Sequence, residues 1–71
     1  MMKYIVASNA PGTPWRIIGV ATTGKQLQNM AAPILLDSRP PWTIKSYYEN
    51  GIPVCINAQT GRRVRMIPVK S

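Results

Sequence analysis

Proline and glycine cut this chain so often that no regular element can run much beyond a dozen residues. Seven prolines and five glycines are spread over 71 residues, and each changes what the backbone can do. Proline lacks an amide hydrogen and biases its predecessor away from the helical region, while glycine admits turns. The pieces between them must therefore pack on one another as a single small domain over residues 1–71. A domain of this length buries only about 60% of the surface its unfolded chain exposes, so its stability margin is thin.

The first pieces read as strands. "KYIVAS" and "WRIIGVATT" are rich in β-branched and aromatic residues, and "NAPGTP" between them supplies turn residues, which predicts an N-terminal β-hairpin over residues 1–22. The next piece reads as a helix. Thr23 followed by Gln26 has capping-box spacing, and Leu27, Met30 and Ala31 fall at i, i+3, i+4. Pro33 is expected to stop this helix near Ala32. So short a helix does not persist alone in water, so Leu27 and Met30 must pack against something. "ILLDSRPP" then forms a stiff linker whose Ile34, Leu35 and Leu36 supply core material.

The stretch "TIKSYYENGIPVCINAQTGRRVRMIPV", residues 43–69, is the most informative. Thr43 can act as N-cap, Trp42 can staple onto Tyr47, Gly51 can take a left-handed C-terminal position, and Pro53 prevents continuation. These signals predict a second helix over residues 44–50. After it, "VCINA" and "RVRMIPV" alternate around the turn-like "QTGR", which predicts a β-hairpin. In the expected register Val54, Ile56, Val64 and Met66 point to the core, while Cys55, Asn57, Arg63 and Arg65 point outward, with Arg62 in the turn.

Charge and reactive groups bound the function. Nine Lys and Arg face two acids, Asp37 and Glu49, for a net charge of +7, which favours a polyanionic partner such as nucleic acid or an acidic protein surface. With no histidine and a single cysteine, Cys55, no disulfide, zinc site or nucleophile–base pair is evident. The expectation is a cytoplasmic binding module without cofactor or metal, not an enzyme. No apolar run reaches membrane-spanning length and the N-terminus does not read as a signal peptide.

Thr43, Ile44, Lys45, Tyr47, Gly51, Ile52 and Pro53, followed by Gly61, Arg62 and Arg65, stand in the order and spacing T-[IV]-[KR]-x-[YW]-x-x-x-G-[IL]-P and G-R-x-x-R. Over roughly residues 25–69 the chain thus resembles the winged helix-turn-helix proteins of phage excisionases and MerR-type regulators. The resemblance implies an α+β fold: a small winged helix-turn-helix domain with two short helices in residues 23–51 and a basic wing hairpin in residues 52–71. It departs from those families in the "YYE" of Tyr47, Tyr48 and Glu49, shifted by one, in the long linker from Ala32 to Trp42, and in the first thirty residues. No effector domain or coiled coil follows in the sequence, which points to a small accessory factor.

The resemblance implies a sequence-specific, phage- or mobile-element-type protein that binds double-stranded DNA. It would serve as an excisionase, a recombination directionality factor, or as a transcription regulator. Such a protein positions DNA for a separate integrase or recombinase and can self-associate on DNA. The second helix would present Lys45 and Ser46, after its cap Thr43, to the major groove, and Arg62, Arg63 and Arg65 would form the wing. Tyr48 can stack near the backbone or pack under the wing. Asn50 can read an adenine edge or cap the helix. Arg39 and Lys25 can add phosphate contacts or serve as ordinary surface charge. Two other readings stand beside this one: a small phage protein that binds and inhibits a host protein, and a β-rich RNA- or ribosome-associated module. Trp15 and Trp42 could stack on single-stranded bases, but are expected in the core.

Overall fold

A computed structural model describes residues 2–70, the side chain of Met2 excepted. The chain forms β1 (Met2–Asn9), β2 (Arg16–Ala21), α1 (Gly24–Leu35), β3 (Ile44–Glu49), β4 (Ile52–Asn57) and β5 (Arg63–Lys70). The five strands make one antiparallel sheet in the order β2-β1-β5-β4-β3. The β1–β2 and β3–β4 hairpins flank β5, the last strand to be added in sequence. The fold is therefore mostly β with one helix, and the expected winged helix-turn-helix with two helices is wrong.

The error lies at residues 44–50, which form a strand and the start of a turn. Asn50 and Gly51 have φ of 54° and 79°, the left-handed values of both central residues of a type I′ turn, whose twist matches that of the flanking strands. Asn-Gly is the pair that adopts this turn most readily. Ile44, Tyr47 and Tyr48 are β-branched or aromatic, and pairing with β4 through six consecutive positions, Ile44↔Asn57 to Glu49↔Ile52, bonds the inward-facing backbone groups and holds a segment that as an isolated helix of seven residues would fray. Gly51 and Pro53 therefore end a strand and open the next. Thr43 caps no helix. Its amide donates to the Gln59 side-chain oxygen at 3.0 Å and its carbonyl accepts from Ala58 N–H at 2.9 Å.

The first helix has its N-cap at Thr23, whose hydroxyl accepts from the Gln26 amide at 3.1 Å, and Gln26 reaches back to the Thr22 amide at 2.7 Å. It continues through Pro33 to Leu35 instead of stopping near Ala32. Burial drives the extra turn: Leu35 joins Val6, Ala21 and Val64 in the core, with Leu27, Met30, Ala31 and Ile34 packed against them. Asn57 from β4, fully buried, completes it by donating from Nδ2 to the Leu35 carbonyl at 2.5 Å, which satisfies one of the orphan acceptors at a helix C-terminus. Its Oδ1 accepts from the Gln59 and Thr60 amides at 2.8 and 3.2 Å, so one side chain ties the helix end to the β4–β5 turn.

The helix covers one face of the sheet. Val6, Val64, Met66, Cys55 and Asn57 face it, and Ala7, Arg63, Arg65, Val54 and Ile56 face the other way, since directly paired residues share a face. The expected register in β5 is therefore right, but β4 is displaced by one. Val54 lies opposite Arg65 on the far face, and Asn57, expected outward, is in the core.

Candidate nucleic-acid interface

The sheet's second face carries no helix. Across its centre the register aligns Asn9, Arg63, Ile56 and Lys45 in one row, and Ile17, Ala7, Arg65, Val54 and Tyr47 in the next. Trp15 joins these rows from outside the sheet. The turn that delivers it is tightly made: Pro11 and Gly12, the latter at φ 77°, bring Thr13 N–H to the Ala10 carbonyl at 3.1 Å. The Thr13 hydroxyl in turn bonds the amide and carbonyl of Ala10 at 2.9 and 2.8 Å. This is the geometry of a type II turn, with proline and glycine where each is favoured.

From that turn the Trp15 ring reaches β5, with Arg63 Cζ 4.7 Å and Arg65 Cζ 4.3 Å from its centroid. Each such cation–π contact contributes about 0.5–2 kcal/mol according to its desolvation. Arg63 is held on all sides. Its Nε donates to Asn9 Oδ1 at 3.1 Å and its Nη1 to Tyr47 Oη at 3.4 Å, and Glu49 Oε2 lies 3.6 Å away. Arg65 Nε is buried without an acceptor among the described residues, and its guanidinium rests on the Trp15 ring instead.

The stack sits at a basic end of the sheet. Arg16 pairs with Ser8 and Arg63 with Asn9, and Arg65 and Lys45 lie on the same rows or one step away. With Arg62 in the adjoining turn, they are five of the nine basic residues. A cavity of about 460 Å³ opens beside Trp15 and is rimmed by Asn9, Thr13, Arg16, Ile34 and Arg62. Arg62 faces this cavity rather than the sheet and forms an exposed ion pair with Asp37 at 2.8 Å, worth at most about 1 kcal/mol.

The residues expected to touch DNA are thus partly gathered and partly scattered. Lys45, Arg63 and Arg65 share the open face. Ser46 and Tyr48 alternate onto the opposite face of β3, where Ser46 Oγ lies 3.5 Å from Cys55 Sγ. Lys45 and Ser46 therefore cannot act as one recognition surface. Asn50 is a turn residue, Thr43 immediately precedes β3, and Arg39 and Lys25 are exposed in the linker and the helix. Sequence reading weighed base stacking by Trp15 but favoured the core, set Tyr47 inward on a helix and gave Asn9 no role. Only the long-range pairing of β1 with β5 carries the arginines to the indole.

No family model, curated protein or solved structure matches the chain. The spacing that resembles excisionases and MerR-type regulators lies on a β-hairpin, so its residues form no recognition helix. Among the described residues no three His, Cys, Asp or Glu side chains cluster, and no helix is long and apolar enough to cross a membrane.

Proposed function

We propose that this chain binds single-stranded nucleic acid on its open sheet face, the RNA-associated β-rich reading rather than the groove-reading one. The observation that carries the proposal is the contact of Arg63 and Arg65 with the Trp15 ring on the sheet face that no helix covers. Aromatic rings and guanidinium planes on a sheet offer unpaired bases a stacking platform, and neighbouring cations track the backbone phosphates. Lys45 lies beyond Ile56 from Arg63 on the same face, while Arg16, paired with Ser8 on the helix side, and Arg62 line the cavity beside Trp15 at the sheet's end. Duplex recognition finds less support. The single helix carries one basic residue, Lys25, and its apolar stripe is packed on the sheet.

Fluorescence anisotropy with single-stranded RNA, single-stranded DNA and a duplex of equal length tests this reading. The single strands should bind more tightly than the duplex. Three or four phosphate contacts give a log–log salt slope of about −2 to −3 for a single strand. Trp15→Leu should weaken single-strand binding about 5- to 150-fold, the range of one lost base stack. Tighter binding to the duplex, or none to any oligonucleotide, contradicts the reading; in the second case the basic face is left as a surface for an acidic protein.

A further inference from the structure

The two edges of the sheet are built differently. In β2 the register with β1 jumps from Gly19↔Val6 to Ile17↔Ala7, which leaves Ile18 as a bulge, and bulges hinder edge-to-edge pairing. β3 has neither bulge nor proline, all six of its residues are exposed, and it pairs only with β4. Because Thr43 C=O accepts from Ala58 N–H, the odd-numbered positions of this strand turn their backbone groups toward β4. The N–H and C=O groups of Ile44, Ser46 and Tyr48 therefore point to the free edge.

The side chains of that edge are self-complementary. One of the chain's two acids, Glu49, stands two residues after Tyr47, and Lys45 stands two before it, all three on the open face. A strand carrying opposite charges equidistant from its midpoint matches a second copy of itself run antiparallel. We propose that two copies of this chain join through β3 about a twofold axis at Tyr47, making a continuous ten-stranded sheet.

In this register Ser46 of each copy forms a hydrogen-bonded pair with Tyr48 of the other. Lys45 meets Glu49 twice, and Tyr47 meets Tyr47, at the non-hydrogen-bonded positions where side chains approach most closely. A slide of two residues either way sets Lys45 against Tyr47 or Gly51 and leaves Glu49 without a cation across the edge. A slide of one residue sets the outward backbone groups of one copy against residues of the other whose own N–H and C=O point back to β4. Only the Tyr47-centred pairing matches both charges and backbone. The edge itself is neutral in a chain of net charge +7, so the surplus positive charge lies away from the seam. A twofold axis normal to the sheet keeps both helices on one side and joins the two open faces on the other.

Sedimentation velocity of the full chain in about 0.15 M salt, where the Debye length is about 8 Å, tests the proposal. The unaltered chain should sediment as a concentration-dependent dimer. Lys45→Glu or Glu49→Lys alone should weaken dimerisation at least tenfold, and the exchange K45E/E49K should recover most of it. Ser46→Pro removes an outward N–H without touching the β4 ladder and should give a monomer with unchanged circular dichroism. Glu49 also lies 3.6 Å from Arg63 within its own chain, so the Ser46→Pro result decides if Glu49→Lys unfolds. A monomer throughout for the unaltered chain, or a dimer that survives both Lys45→Glu and Ser46→Pro, overturns the proposal.

Discussion

Asn57 shows how much a single polar side chain can determine in a small domain. It is fully buried, its amide nitrogen serves the carbonyl that ends α1, and its amide oxygen serves two amides of the β4–β5 turn. Asn57→Ala removes these bonds and a longer one from Nδ2 to Ser38 Oγ at 3.3 Å, leaves the buried end of α1 without its donor, and should cost about 2–3 kcal/mol, read as a shift in the urea midpoint without a change in slope. Thr43→Ala should change stability by less than about 0.5 kcal/mol, since only backbone groups of Thr43 are engaged. The sequence suggests the opposite ranking. Thr43 has the right neighbours for a cap, and Asn57 falls on the outward phase of a strand when β4 is phased to β5 by alternation alone. The hairpin pairs Val54 with Arg65, and that registry is set by the length of the 58–62 turn, which alternation cannot see.

At the scale of elements, the β1–β2 pair, α1 with its Thr23 cap and Leu27–Met30–Ala31 stripe, and the β4–β5 hairpin are legible from local patterns. β3 is misread because its terminators are ambiguous: glycine and proline after an aromatic run end a helix or turn a hairpin equally well. What decides is Asn50 beside Gly51, both held at positive φ, and a partner strand able to bond the whole length of β3. Gly51→Ala introduces a Cβ at φ 79° and should cost about 1 kcal/mol, a fall of about 4–8 °C in Tm by differential scanning calorimetry. Pro33 gives the opposite test. It is exposed inside α1 and offers no hydrogen to the carbonyl four residues back. Pro33→Ala should therefore stabilise the domain by about 1–3 kcal/mol, and a loss of stability would mean that the last helical turn relies on proline's fixed φ.

For the whole molecule, charge and β-rich composition are readable in advance and the meeting of Trp15 with the arginines is not. Arg63 and Arg65 alternate onto one face in the sequence itself, but Trp15 meets them only because β1 and β5, the first and last strands, are neighbours. No local pattern encodes that adjacency. The same adjacency makes Arg63 structural as well as basic, through Asn9, Tyr47 and Glu49. Arg63→Ala should therefore lower stability, whereas Lys45→Ala should not, and thermal melts separate the two. The proposed function has nucleic acid meet the open sheet face. Its most direct test is a titration of isotopically labelled protein with single-stranded RNA, followed by amide and indole nuclear magnetic resonance shifts. The Trp15 indole and the amides of Ala7, Asn9, Lys45, Tyr47, Arg63 and Arg65 should move together and saturate, while those of Lys25, Gln28 and Asn29 on the exposed side of α1 stay in place. Shifts confined to α1 and the 37–43 linker, with the Trp15 indole unmoved, would place the nucleic acid on another surface.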